Sequence, residues 1–273
     1  MAWRDVFRPT GGMDEAAVEA YLARIGVGRP VRTDAVALAE LHRRHQMAVP
    51  FENLSVHLGE PVRLEAGALV EKIVARRRGG FCYELNGAFA ALLTALGYPV
   101  TLLAGRVHGK DGRPGPPFDH LALSVEASGR RWLADVGFGR FATHPLLLDE
   151  RGEQADPGGV FAVSEDGRGD LLVTRDGAPG YLLEPRGREL ADFRVAAWWQ
   201  CTSPESAFTR SLVCSLLTGD GHVTLSGRRL VVTGAAGRRE TELPDDAAVL
   251  TAYRDHFGIA LDHVPRARAD TAR

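Results

Sequence analysis

The chain has 273 residues, 45% of them hydrophobic, and a formal net charge of −2. That is enough apolar material for one large domain or two to three small lobes, and the balanced charge offers nothing to nucleic acid or an anionic membrane. No apolar run reaches the roughly 20 residues of a membrane helix, the opening MAWRDVFRPTGG lacks the apolar stretch of a secretory signal, and three cysteines without a CxxC pair fit free thiols in a reducing cytoplasm rather than a zinc site.

The first hundred residues carry helical periodicity. In MDEAAVEAYLARIGV, Val18, Tyr21, Leu22 and Ile25 recur at helical spacing, with Asp14 and Glu15 in the first turn. RTDAVALAELHRRHQMAVP repeats the pattern, with Thr33 or Asp34 as N-cap and Pro50 beyond the end. LEAGALVEKIVARRR predicts a third helix stopped at Gly79-Gly80, and a fourth runs from about Cys82 to Leu96, with Phe81, Leu85, Phe89, Leu92 and Leu96 as its buried stripe. After Gly97 the texture changes. PVTLLAGRV, DHLALSVEA, RRWLADVGF, VFAVSED, DLLVTRDG and YLLEPRG are short β-type runs between Gly-, Pro- and Asp-rich turns, which predicts an antiparallel barrel or sandwich. KDGRPGPP is a loop by composition. Towards the end, HVTLSGRRLVVTG predicts a hairpin and PDDAAVLTAYRDHFGI a capped helix ending near Gly258, and the polar tail after Pro265 is expected to be disordered.

The segment RRGGFCYELNGAF asks whether Cys82 packs or reacts. Most free cysteines are inert core residues. Here two glycines let the backbone turn into a helix, and the thiol falls in the first helical turn. Open N–H groups and the positive end of the helix dipole favour a thiolate there and could hold an oxyanion. A nucleophile also needs a base. Of nine histidines, His42 and His45 sit beside Arg43 and Arg44, where a solvated face is the better reading. His120 opens the apolar run HLALSV, and by itself reads as a satisfied strand-end histidine.

Asp135 changes that weighing. It lies in the apolar stretch WLADVGFG, where a charge is costly unless paired. If Ser128-Gly129 is a two-residue hairpin turn, Ala127 pairs with Arg130, Ala122 lies opposite Asp135, and His120 is two residues further along the same face. Diagonal neighbours of this kind are about 7–8 Å apart, within reach of two side chains. A turn longer by one residue would put them on opposite faces. With the two-residue turn, Asp135 orients His120 towards Cys82, giving the nucleophile–base–orienter logic of acyl transfer.

Together these stretches resemble the arylamine N-acetyltransferases. RRGGFCYELNG resembles the nucleophile segment, HLALSV the histidine strand and ADVGFG the aspartate segment, placing Cys82, His120 and Asp135. VPFENLSV, RIG at residues 24–26 and SPESAFTRSLVCSL resemble further signatures, so the likeness covers nearly the whole chain. It implies an α+β fold with a cysteine-protease-like Cys-His-Asp core: a helical bundle (1–98), an antiparallel β-barrel (99–196) and an α/β lid (197–273). It also implies acetyl-CoA as donor, an acetyl-cysteine intermediate, and a small aromatic amine, hydrazine or hydroxylamine as acceptor, with no metal. By the same resemblance Phe51 and Phe138 line the acceptor pocket, Phe138, Gly139 and Phe208 lie near the pantetheine of CoA, and Glu52 and Arg78 form an ion pair that holds the cysteine loop. Ordinary core packing is the other reading of Phe51 and Phe208. Asp119 departs from the threonine that many bacterial members have there, which bears on cofactor contacts or on the histidine. Cys201 and Cys214 have no evident base nearby in sequence and are expected to be inert. Two other readings share the site: a macrolactam-forming amide synthase fed by a carrier protein, and a cysteine hydrolase. A binding module with a dead site is the weakest, because all three triad candidates are present.

Overall fold

The computed structural model describes residues 13–267. Four of its helices correspond to the periodic segments of the first hundred residues. Helix α1 (Glu15–Ile25) is capped by the Asp14 carboxylate, which accepts the Ala17 N–H, and buries Val18, Tyr21, Leu22 and Ile25. Asp34 caps α2 (Ala35–Ala48) in the same way. A two-residue strand β1 (Phe51–Glu52) and a short helix α3 (Leu54–Leu58) follow. Helix α4 (Ala66–Val74) stops several residues short of Gly79, and Arg77 takes a positive φ in the irregular segment between them. Helix α5 (Cys82–Ala95) is buried almost all round from Cys82 to Ala90, so the five-residue stripe understates its contacts. It is the central rod of the bundle: Leu85, Phe89 and Leu92 pack into one apolar cluster with Tyr21, Leu38 and Ile73 from the three surrounding helices.

Eight strands form an antiparallel sheet in the order β5-β4-β3-β2-β9-β8-β7-β6. They are β2 (Val100–Val107), β3 (His120–Ala127), β4 (Arg130–Ala134), β5 (Leu146–Leu147), β6 (Gln154–Asp156), β7 (Gly159–Glu165), β8 (Leu171–Arg175) and β9 (Ala178–Arg188). Leu146 from one end of the sheet and Phe161 and Val163 from near the other share one apolar cluster with Val173 and Leu183, so the sheet curls round it as a barrel. Strand β3 is buried on both faces. Leu121, Leu123 and Val125 join the helical core while Ala122 faces the barrel interior, which is why HLALSV reads as a continuous apolar run instead of an alternating one.

A 3₁₀ turn (Leu190–Phe193) leads into α6 (Arg194–Thr202) and the single-turn α7 (Ala207–Arg210). A second sheet then runs β1-β10-β11-β12-β13, with β10 (Cys214–Leu217), β11 (His222–Ser226), β12 (Arg229–Gly234) and β13 (Gly237–Glu242). β11 and β12 are the predicted hairpin, and α8 (Asp246–Phe257) ends at Gly258 in the left-handed conformation, as the sequence predicts. Phe51 and Glu52 pair with Ser215 and Cys214, so a strand from the first hundred residues is an edge of the C-terminal sheet. Of the tail expected to be disordered, residues 268–273 lie outside the described residues, whereas Pro265 and Ala267 are buried. Among the described residues no helix is long and apolar enough to cross a membrane.

Candidate active site

Cys82 is the first residue of α5, and the approach to it is built from buried charge. Glu52 accepts Arg78 Nε–H at 3.1 Å, the Gly79 N–H at 3.3 Å and the Leu54 N–H at 2.6 Å, so one carboxylate ties the VPFEN strand to the RRGG segment. Arg78 also reaches Glu60 at 3.1 Å, which confirms the expected ion pair and adds a second acid to it. Burial opposes the Arg78 charge, but Glu52 and Glu60 outweigh it and raise its pKa. Gly79 and Gly80 are not there for a positive φ, contrary to the turn the sequence suggests. They are there for close approach: a Cβ on Gly79 would overlap the Pro50 carbonyl oxygen. At the helix start, Glu84 accepts the Phe81 N–H at 3.3 Å and binds Lys72 Nζ at 2.6 Å.

The hairpin joining β3 to β4 has the register that the site requires. Ala127 pairs with Arg130 and Leu123 with Ala134. Ser128 (φ 52°) and Gly129 (φ 72°) are both left-handed, as a two-residue turn matching the strand twist demands. His120 and Asp135 therefore share a face, and His120 Nε2 lies 2.8 Å from Asp135 Oδ2. An ionised carboxylate only accepts, so Nε2 carries the proton and donates. That turns Nδ1 away from the carboxylate, and the Cys82 thiol, which lines the same cavity, adds to the rise in the ring's pKa. The sulfur also lies 3.9 Å from the Asp119 carbonyl oxygen.

Both members of the His120–Asp135 pair are almost fully buried. Burial by itself disfavours an imidazolium, but the Asp135 charge and hydrogen bond, with Cys82, outweigh it and push His120 up to about 10. Burial likewise opposes the Asp135 charge, and His120, Asn86 and the Gly137 N–H together hold its carboxyl below the usual range. The His120 ring is clamped between aromatic side chains, with Tyr181 at 4.9 Å between centroids and Phe138 edge-on at 5.2 Å.

Three supporting residues were not singled out by the sequence reading. Asn86 stands one turn after Cys82 on α5; its Nδ2 donates to Asp135 Oδ1 (2.8 Å) and the Leu121 carbonyl (2.6 Å), and its Oδ1 accepts the Val136 N–H (2.9 Å). A polar residue four after the cysteine in an otherwise apolar helix is a signal the sequence did carry. Gly137 admits its neighbours because a Cβ there would stand 2.7 Å from the Cys82 Cα. His42 corrects the expectation of a solvated face: it and His45 are 1% and 0% exposed. The arginines that suggested solvent point away, Arg44 to Glu40 on the outer side of the helix, while the histidines face α5 and pack on Phe89.

A cavity of about 680 Å³ opens over the thiol. Phe51, Cys82, His120, Phe138 and Phe208 all line it, so five of the singled-out residues converge from the bundle, the barrel and the α7 region. Asp135 is behind His120, out of the lining. Gly139 is also outside the lining; its Cα faces the Phe51 ring, which an added Cβ would meet at 3.5 Å. Arg113 and Arg210 stand at the exposed mouth. Cys214 is buried and its thiol is pushed well above the usual range by that burial. A thiol, an imidazole and a carboxylate in relay at the floor of a partly aromatic cavity can form and resolve an acyl-thioester.

A family model described as N-acetyltransferase matches residues 34–266. The chain is 37% identical over 251 residues to the arylamine N-acetyltransferase of Mycolicibacterium smegmatis, covering 88% of this chain and 91% of that one. It is 31% identical over 254 residues to a Salmonella typhimurium protein named arylamine N-acetyltransferase / N-hydroxyarylamine O-acetyltransferase, covering 90% of both. Its fold is similar to that of the Mycobacterium marinum arylamine N-acetyltransferase solved in complex with CoA, with a TM-score of 0.80, 35% identity, and coverage of 89% of this chain and 92% of that one. Sequence and three-dimensional similarity over nine-tenths of the chain agree, and the chain belongs to the arylamine N-acetyltransferase family.

Proposed function

We propose that this protein moves the acetyl group of acetyl-CoA to the nitrogen of arylamines, arylhydrazines or arylhydroxylamines through an acetyl-Cys82 intermediate. The observation that carries this reading is the His120 ring, bonded to Asp135, lining one 680 Å³ cavity together with the Cys82 thiol. Residues 1–98 then supply the nucleophile, 99–196 the base and its partner, and 197–273 one wall of the cavity.

In the first half-reaction the Cys82 sulfur, its proton on His120 Nδ1, attacks the thioester carbonyl. The bond to the CoA sulfur breaks, and that sulfur takes the proton from His120. In the second, an amine nitrogen attacks the acetyl carbon, His120 takes a proton from the nitrogen, and the bond to Cys82 breaks. Asp135 holds the ring in one orientation and stabilises its positive charge at each transfer. Phe51, Phe138 and Phe208 give flat apolar walls suited to an aryl ring or the pantetheine arm. Aromatic amines are the natural acceptors because they are largely unprotonated near neutral pH, whereas an alkyl ammonium must first lose a proton.

The test is mass spectrometry of the protein after incubation with acetyl-CoA, followed by peptide mapping and addition of an arylamine. The expected result is one acetyl group on the peptide carrying Cys82, discharged by the amine. No adduct on that peptide, or near-wild-type turnover by Cys82→Ser, overturns the reading. Discharge by water as fast as by amine points to the hydrolase, and loading only from a carrier-protein thioester points to the amide synthase.

A further inference from the structure

The strand that carries His120 is entered through a strained turn. Pro116, Pro117, Phe118 and Asp119 form a four-residue turn, closed by the Asp119 N–H and the Pro116 carbonyl at 3.4 Å. Phe118, its third residue, has a φ of 64°. Proline fixes an ordinary negative φ at the second position, so a positive φ at the third is the type II pattern, which calls for glycine. Among the described residues three other non-glycine residues have positive φ. Ser128 and Asp176 open hairpin turns before a glycine, and Arg77 lies in the irregular segment ahead of Gly79. Phe118 is the aromatic one, and it stands two residues before His120.

A residue with a Cβ is disfavoured in this region by roughly tenfold against its relaxed backbone, so the surroundings must hold it there. The Tyr83 hydroxyl donates to the Phe118 carbonyl at 2.7 Å. Tyr83 is fully buried, and that burial raises its hydroxyl well above the usual range, so it stays protonated and remains a donor. The Phe118 ring is seated edge-on to Phe193 at 5.4 Å, and the Arg188 guanidinium lies 4.9 Å from its centroid. Tyr83 follows Cys82 directly on α5, so this one bond runs from the nucleophile's helix to the entrance of the histidine strand. Asn86, one turn further on, bonds the Leu121 carbonyl on the other side of His120. The histidine is thus tied to α5 through carbonyls before and after it, and the Asp119 carbonyl between them lies 3.9 Å from the Cys82 sulfur.

We propose that Tyr83 is a positioning residue for acyl transfer: its hydroxyl holds Phe118 in the left-handed turn that sets His120 against Cys82. Without that bond the turn relaxes to a negative φ, the Phe118 ring leaves its seat, and the first residue of β3 shifts relative to the thiol. The sulfur and the imidazole then meet in reacting geometry in a small fraction of molecules. The lining of the main cavity, which includes neither Tyr83 nor Phe118, is untouched. This rests on the acetyl-cysteine reading above.

The experiment measures single-turnover acetylation of Cys82 by acetyl-CoA, followed by mass spectrometry, in the wild type and in Tyr83→Phe. Phenylalanine keeps the ring and removes only the hydroxyl. The maximal rate is expected to fall roughly tenfold, with the acetyl-CoA concentration at half-maximal rate changed less than about twofold. Phe118→Gly and Phe118→Ala are then made in both backgrounds. Both remove the ring, but only alanine keeps a Cβ, whereas glycine takes either sign of φ about equally. With Tyr83 intact the two are expected to react at similar rates. In the Tyr83→Phe background the glycine variant is expected to exceed the alanine variant by about fivefold or more, and to approach its own rate with Tyr83 intact. A general loss of packing slows both alike and cancels in their ratio. A full rate in Tyr83→Phe, or the same glycine-to-alanine ratio in both backgrounds, overturns the proposal while leaving acetyl transfer standing. Absence of any Cys82 adduct in the wild type removes both.

Discussion

His42 Nε2 accepts the backbone N–H of Asp135 at 3.0 Å. A backbone nitrogen can only donate, so this one bond fixes the tautomer: the His42 proton is on Nδ1 and goes to the Thr143 carbonyl, 3.0 Å away. A residue from the second helix thereby seats the carboxylate that orients His120. Replacing it by leucine fills the space but orphans the buried Asp135 N–H, while the Thr143 carbonyl keeps its bond from Gln46. Such an orphaned group costs about 1–3 kcal/mol. The expected result for His42→Leu is a fall in unfolding free energy of that order, by denaturant titration, together with a drop in kcat larger than the change in KM for acetyl-CoA. An unchanged kcat would show that Asp135 keeps its place without His42.

The same burial makes an acid weakness. His42 is pushed down to about 4 and His45 to about 3, in both cases by desolvation first. In the unfolded chain both titrate near 6.5, so between these values the unfolded state binds more protons and stability falls as pH falls. Each contributes on the order of a few kcal/mol that is present above about 6.5 and lost progressively on acidification through 4. His120 has the opposite sign: its folded value, about 10, lies above the unfolded one, so its contribution is complete below 6.5 and lost as pH rises through 10. Chemical denaturation from pH 4 to 10 is expected to show maximal stability near neutrality, and His42→Leu is expected to flatten the acid limb. An acid limb as steep in the variant would place the linkage elsewhere.

Asp135→Asn preserves volume but removes the charge that raises His120. The asparagine also presents either a donor or a neutral oxygen to Nε2, so the ring loses its preferred orientation. A fall in kcat on the order of 10³–10⁴ is expected, with the pH dependence of Cys82 acetylation shifted downward. A loss of less than tenfold would mean that the ring is held by its aromatic clamp, Tyr181 and Phe138, rather than by the carboxylate.

Thiol labelling separates Cys82 from Cys214. Cys82 lines the cavity beside a cationic imidazole, whereas Cys214 is fully buried on β10. Iodoacetamide at neutral pH is expected to modify Cys82 first and to leave Cys214 unmodified in the folded protein. Prior incubation with acetyl-CoA is expected to protect Cys82. Labelling of Cys214 at a similar rate would contradict this order.

What the sequence by itself determined was local. Helical spacing, with acidic residues at the start of the first helix and Thr33 or Asp34 offered as the cap of the second, places the helices, and the Ser128-Gly129 turn fixes which face of the β3–β4 hairpin carries His120 and Asp135, because strand parity is exact once the turn length is known. An apolar setting around Asp135 already required a partner for it. What only the tertiary structure decided was which side of each element meets which other. His42 and His45 read as solvated because their sequence neighbours are arginines, but on a helix adjacent residues point about 100° apart, and the packing of α2 on α5 buries the histidines while Arg43 and Arg44 stay at the surface side. The glycines before Cys82 look the same in sequence whether they serve a turn or a close approach, and the proximity of Pro50 chooses the second. Likewise an aspartate beside a histidine carries no sign of what its carboxylate will touch; the Val107 N–H on the neighbouring strand and the Gly115 backbone decide that for Asp119.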